Sequence, residues 1–296
     1  EYIKFTKCKI VLTFIDNYIN FYKLKNYIQK VNFISIQNGM RTKFFFEELN
    51  KHSDLKVDYF LSFNDNYSKK FSEYIEGDFT TIGSFVSNQV SISKKKIGYL
   101  NYISSGPESF NKMRIFQDKS VEYEKYFHPE KFCINLLKSY CTNNNLKLNI
   151  LGRASSESKK KVELKFYSNL LKDFNFNYID FKKQNREETY NICDNADLNI
   201  CIYSALGLEL ISRRSKIFIF NLREKYSGFS SLNIFWPLQV KPDGHFWSSQ
   251  EDEKKIYQIF DRIRELNDSE WQNLLEKNFK SLIKFDQNND YFQKKI

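Results

Sequence analysis

The side chains best able to do chemistry in this chain stand just after short apolar runs, where strands would end. The fullest set is the turn Tyr203-Ser204-Ala205-Leu206-Gly207-Leu208-Glu209, which follows the run 198–203 and opens a helical stretch at 206–214. Free backbone N–H groups and the dipole at a helix start favour an anion such as phosphate. Glu209, on the first turns of that helix, can accept hydrogen bonds from ribose hydroxyls. The alternative makes Ser204 a helix cap and Glu209 a first-turn acid offsetting the dipole. Gln37-Asn38-Gly39-Met40-Arg41 follows the run 32–36. Gly39 there supplies backbone freedom for a tight strand exit, and Arg41 either reaches an anion or is a solvated loop residue. Asp16 stands at the end of the run 7–14, Glu108 follows Ser105-Gly106-Pro107 beyond the run 97–104, and Gly152-Arg153 ends 146–151. Each has a plain structural alternative: Asp16 as cap of the next helix, Glu108 as a loop surface acid, Arg153 as a solvated strand-end residue.

Positioning such residues requires strands that alternate with helices. Apolar runs without alternation read as strands buried on both faces of a parallel sheet, and the crossovers between them are usually helices. In a first lobe, residues 1–90, strands at 7–14, 32–36 and 57–62 alternate with helical spacing at 18–29, 42–49 and 66–76. The polar, basic stretch 87–96 reads as the linker. In a second lobe, residues 91–296, strands at 97–104, 146–151, 176–181, 198–203 and 217–220 alternate with helices. The first of those helices is expected over 130–142, opened by His128-Pro129-Glu130. The pattern predicts an α/β protein with two Rossmann-like parallel-sheet lobes, the first short or truncated. An aromatic segment, 226–247, precedes two amphipathic helices at 251–266 and 269–284, and the tail 288–296 is expected to fray.

Composition removes several classes. Of the 296 residues 41% are hydrophobic and 28% charged, and no apolar run approaches the ~20 residues of a membrane span. The sequence starts at Glu1 without a charged-then-apolar leader, so a cytoplasmic chain is expected, with a true N-terminus further upstream left open. Five scattered cysteines and three histidines, with no C-x-x-C pair, argue against disulfides and structural zinc and for reduced core thiols. The net charge of +10 has no nucleic-acid-binding signature beside it. It fits attraction to sugar nucleotides, acidic glycans or the anionic inner face of a membrane instead. No G-x-G-x-x-G, P-loop, G-x-S-x-G or H-E-x-x-H motif is present, nor a D-x-D triplet at a strand exit.

Several segments, in consistent order, resemble O-antigen and surface-carbohydrate biosynthesis glycosyltransferases of the two-lobed GT-B architecture. They are Thr13-Phe14-Ile15-Asp16-Asn17, Gln37 to Arg41, Ile82-Gly83-Ser84-Phe85, Ile150-Leu151-Gly152-Arg153, Glu163 with Phe166-Tyr167, and Ala196-Asp197 with Ser204 to Glu209. The resemblance implies transfer of a sugar from a nucleotide-sugar donor to a growing surface glycan or lipid-linked glycan, without a metal or other cofactor. It places Gly152, Arg153 and Ser204, Ala205, Leu206, Gly207 near the donor phosphates and Glu209 near the ribose. Asp16 or Glu108 would be general base on the acceptor hydroxyl, with Asn38, Gly39 and Arg41 as further anion or acceptor contacts. Arg153 and helix N–H groups can then neutralise the leaving phosphate. Two other readings stay open: a nucleotide-sugar epimerase of the same fold, and a non-catalytic sugar-nucleotide-binding partner subunit.

Overall fold

The computed structural model describes residues 2–93, 95, 97–107, 113–116, 119–181, 184–229, 232–279, 282 and 284–295. They fall into two compact units. Unit 1 is Glu1–Ser91 with Trp236–Leu238 and Asn278–Ile296; unit 2 is Ile92–Phe235 with Gln239–Lys277. The segment Asn278–Ile296, which the sequence pattern groups with the second lobe, thus belongs to unit 1.

Unit 1 opens with α1 (Tyr2–Phe5) and alternates β1 (Ile10–Thr13), α2 (Ile19–Leu24), β2 (Asn32–Ile36), α3 (Lys43–Leu49), β3 (Lys56–Ser62), α4 (Asp65–Ser72) and β4 (Glu76–Thr81). The four strands are parallel and lie in sequential order, β1-β2-β3-β4. Right-handed crossovers all taken in one direction put the connecting helices on one face. That face is aromatic: Tyr22, Phe33, Phe46, Phe60 and Phe71 are fully buried, with Phe60 and Phe71 rings 4.2 Å apart. Alternate residues point the other way, as a strand requires. Ile34, Ile36 and Leu61 join Ile82 in a core against which Phe85 and Phe292 pack.

Phe85 opens α5 (Phe85–Asn88), and Phe292 lies in α13 (Asp290–Lys295). The tail is therefore docked rather than frayed. The Asn64 side chain donates to the Leu282 carbonyl, and Asn88 Nδ2 donates to Asn289 Oδ1 at 2.9 Å. Gly83 has φ +81°, and the Lys284 carbonyl occupies the space a Cβ would need. Only glycine meets both demands. Ser87 and Asn88 are fully buried, so the polar stretch expected as a linker begins inside unit 1.

Unit 2 contains β5 (Tyr99–Ile103), β6 (Met113–Phe116), β7 (Lys119–Glu122), α6 (Tyr123–Asn143), β8 (Lys147–Gly152), α7 (Glu157–Leu171), β9 (Phe176–Asp180), α8 (Arg186–Asp194), β10 (Leu198–Cys201), α9 (Ala205–Ser212), β11 (Ile217–Phe220), α10 (Arg223–Ser227), β12 (Trp247–Ser248), α11 (Glu253–Glu265) and α12 (Asp268–Phe279). β6 and β7 pair antiparallel; the other six strands make a parallel sheet in the order β12-β11-β10-β5-β8-β9. α6 begins seven residues before Glu130 and carries Pro129 inside. Burial of Tyr126 and Phe127 rewards the additional turns enough to offset the hydrogen bond that proline cannot make. Cys133, Cys141, Cys193 and Cys201 are buried free thiols.

Candidate functional site

The order of the six-stranded sheet fixes where a ligand can bind in unit 2. From β5 the chain steps outward to β8 and β9, then returns to the opposite side of β5 for β10, β11 and β12. The reversal lies between β5 and β10. In open α/β sheets the crevice outside the carboxyl ends of two such strands is the usual binding position. Ile103 is in register with Cys201 and with Leu151. Three exits therefore leave the sheet side by side: Ser104-Ser105-Gly106, Ile202-Tyr203-Ser204 and Gly152-Arg153.

A buried carboxylate ties two of these exits together. Glu163 on α7 is 1% exposed and meets four donors. It accepts from the Arg153 N–H at 3.2 Å, the Ala154 N–H at 3.0 Å, the Tyr178 hydroxyl at 2.7 Å and the Ser104 hydroxyl. Ser104 also bonds Tyr167 at 2.7 Å and receives the Gly106 N–H at 3.0 Å. A side chain on Gly152 would occupy the space of the Tyr178 hydroxyl, so glycine there lets Tyr178 reach Glu163. The backbone donors after β8 are thus spent on Glu163 and are not available to a phosphate. What remains is the Arg153 side chain, exposed and without a protein partner among the described residues; its Cβ lies beside Gly106.

The turn after β10 keeps its donors. Ser204 occupies the N-cap position of α9 but its side chain makes no capping bond, so the cap alternative does not hold. The first N–H groups of α9, Ala205 and Leu206, have no partner within the helix. Gly207 donates to the Ser204 carbonyl at 3.1 Å, and a Cβ there would overlap Cys201 Sγ. Its glycine serves close packing of α9 on β10. Glu209 is half-buried and accepts from the Tyr190 hydroxyl of α8 at 2.9 Å, with the Arg213 guanidinium stacked 4.5 Å from the Tyr190 ring. Behind the β5 exit, fully buried Arg223 pairs with Glu130, lies 4.0 Å from the Tyr126 ring and donates to Ser105 Oγ at 3.2 Å.

Unit 1 gathers a second cluster at the carboxyl ends of β1 and β2. Asp16 is fully buried and does not cap α2, whose N-cap is Tyr18. Its carboxylate takes the Asn38 N–H at 3.0 Å, Arg41 Nε at 2.8 Å and Arg41 Nη2. Burial pushes the Asp16 carboxyl up, and Arg41 and the Asn38 N–H oppose that shift. Both oxygens being occupied, Asp16 here orients Arg41 and Asn38 rather than facing a hydroxyl. Gln37, 1% exposed, braces the same loop, donating to the Gly39 carbonyl and accepting from the Phe63 N–H, each at 2.9 Å. Gly39 has no positive φ; its missing side chain leaves room for Arg41 Nη1, 3.4 Å from where a Cβ would stand. Asp16, Asn38, Gly39 and Arg41 thus come together as one group.

Glu108 lies outside the described residues. Among the described residues no group of three or more His, Cys, Asp or Glu side chains could hold a metal, and no helix is long and apolar enough to cross a membrane. Sequence reasoning did not assign roles to Glu163, Gln37 or Arg223. Glu163 draws its donors from three separate segments, which no local spacing reveals.

Solved structures share this architecture. TarM superposes with TM-score 0.51 and 12% identity over 99% of this chain, which spans only 56% of TarM. MurG of Acinetobacter baumannii gives TM-score 0.51 and 13% identity, covering 99% of this chain and 75% of that one. The UDP-GlcNAc 2-epimerase of Methanocaldococcus jannaschii, solved with UDP-GlcNAc and UDP, gives TM-score 0.53 and 8% identity over 99% of this chain and 76% of its own. No curated protein matches. The fold is GT-B-like, with one four-stranded and one six-stranded parallel sheet. Residues 34–296 match the family described as "putative O-antigen biosynthesis protein", and the chain belongs to that family.

Proposed function

We propose that this chain is a metal-independent glycosyltransferase that moves a sugar from a nucleotide-sugar donor to a growing surface glycan, free or lipid-linked. The observation that carries the reading is that the Arg153 side chain after β8, without a protein partner among the described residues, and the uncapped start of α9 after β10 flank the β5 exit on its two sides. Both offer positive charge or N–H groups where a diphosphate would lie. Family membership supplies the glycan setting.

In the reaction the bond from the anomeric carbon to the diphosphate breaks, and its electron pair passes to the phosphate oxygen. The acceptor oxygen bonds to the anomeric carbon and gives its proton to a base. Arg153 and the α9 N–H groups stabilise the charge that grows on the leaving oxygens. Arg153→Ala should therefore lower kcat more than it weakens substrate binding. Glu209, held by Tyr190, binds ribose in ground and transition states alike, so Glu209→Gln should chiefly raise KM. With Asp16 engaged by Arg41, Glu108 is the base in this reading, and Asp16 positions Arg41 and Asn38 on the acceptor side. The net charge of +10 suits peripheral attraction to an anionic membrane face.

The likeness to an epimerase bound to UDP-GlcNAc and UDP favours one competing reaction, elimination and re-addition on the same sugar. Incubation with labelled nucleotide sugars, with and without a glycan acceptor, separates them. Label appearing in the acceptor supports transfer; an isomerised nucleotide sugar formed without acceptor refutes it in favour of epimerisation.

A further inference from the structure

Unit 1 holds a pocket of about 370 Å³ whose walls come from α3, α4 and the residues around them, with Trp236 and Pro237 completing the lining. Its apolar side is aromatic. Trp236 packs 5.1 Å from Phe46, and Tyr74 lies under the Lys70 ammonium at 5.1 Å. Its polar side is unbalanced toward donors. Asn66 Nδ2 is buried with no hydrogen-bond partner. Lys69 has no carboxylate partner among the described residues. Lys43 and Lys70 pair with Glu47 and Glu73, exposed carboxylates that also line the pocket. Such pairs contribute little, so an incoming anion can displace them at small cost.

A buried donor without an acceptor carries the full cost of its lost hydration. A ligand that supplies acceptors would remove that cost once the Asn66 amide turns toward the pocket its residue lines. The volume lies low in the range of small-molecule sites, about 300–1,000 Å³, which suits one or two rings rather than a nucleotide sugar. Flat aromatic faces accept the C–H faces of a sugar ring, while ammonium groups and an amide N–H donate to its carboxylate and hydroxyl oxygens.

We propose that this pocket binds an acidic sugar unit of a glycan, apart from the strand-end sites described above. The inference takes from the proposed function only that the partner is a glycan, and it is tested without a donor nucleotide.

The probes are a hyaluronan tetrasaccharide, maltotetraose and inorganic phosphate, titrated against the full chain by calorimetry and by saturation-transfer NMR. The acidic tetrasaccharide should bind at least tenfold more tightly than neutral maltotetraose. Lys69→Gln and Asn66→Asp should each weaken it by about tenfold or more, the loss expected for one charge-assisted or buried hydrogen bond. Asn66→Asp places an acid in the first turn of α4, where it favours the helix, so the variant should fold. Equal affinity for the acidic and neutral tetrasaccharides overturns the proposal, as does unchanged affinity in both folded variants. Displacement by phosphate at equal concentration would reduce the pocket to an anion site and also overturn it. Binding of UDP to the same preparations reads the donor site separately, so loss of one result leaves the other standing.

Discussion

Glu163→Gln tests how the strand exits of unit 2 are held. The carboxylate meets four donors: two backbone N–H groups, Arg153 and Ala154, and two hydroxyls, Ser104 and Tyr178. Glutamine keeps shape and size but replaces one oxygen by an NH2 group. The hydroxyl on that side can rotate to accept; the backbone N–H cannot. One N–H is left facing a donor, at about 1–3 kcal/mol, and the remaining bonds lose their charge assistance. The expected loss is about 2–4 kcal/mol. For a unit of this size that corresponds to a fall of roughly 5–12 °C in its unfolding midpoint. The assay is calorimetric unfolding of wild type, Glu163→Gln, Tyr178→Phe and the double variant. The double variant should lose less than the sum of the single losses, because Tyr178→Phe removes a bond that Glu163→Gln already weakens. A midpoint within 1 °C of wild type for Glu163→Gln, or strict additivity in the cycle, would refute the assignment of Glu163 as the anchor of both loops.

Arg41→Ala should cost about 3–5 kcal/mol, since it leaves Asp16 charged, buried and unpaired. Asp16→Asn in the same chain should recover part of that loss, as urea unfolding would show. Without Arg41 the Asp16 carboxyl, already pushed up by burial, moves further up. The folded state then binds a proton that the unfolded state releases, so stability falls as pH rises between the two pKa values. The Arg41→Ala deficit should accordingly be smaller at pH 5 than at pH 8; a deficit independent of pH would contradict the pairing. Gly207→Ala would ordinarily favour a helix by about 1 kcal/mol. Here the added methyl meets Cys201 Sγ, so the unfolding midpoint should drop, and Cys201→Ala should restore it.

Parallel strands with continuous apolar runs were the most legible part of this molecule. Asn32–Ile36 and Ile217–Phe220 occupy the residues their composition marks. β4, Glu76–Thr81, escaped because its burial is slight and its residues are polar. The two residues of β12 are too few to leave a pattern. The docking of the C-terminal segment was hidden for a different reason. Its hydrophobic spacing declares a buried face but not the partner, and the partner is set by Gly83, Asn64 and Asn88, about two hundred positions earlier. The site divides along the same line. Strand-end residues such as Arg153 and Arg41 stand where spacing put them, because a strand's end is a local property. Which donors they keep is not local: Glu163 takes the N–H groups after β8, and Asp16 takes the guanidinium of Arg41.

The donor site proposed for unit 2 is the centre of the functional account, and nucleotide binding tests it most directly. Thermal unfolding of the full chain should be followed with UDP, GDP and CDP, for wild type and Arg153→Ala. A ligand at a hundred times its Kd stabilises the folded form by about 2.7 kcal/mol. The transition of unit 2 should then rise by roughly 5–10 °C with at least one nucleotide, and Arg153→Ala should lose most of that rise. Absence of any shift with all three nucleotides, or a shift that Arg153→Ala retains in full, would contradict the placement of a diphosphate between the ends of β5 and β10.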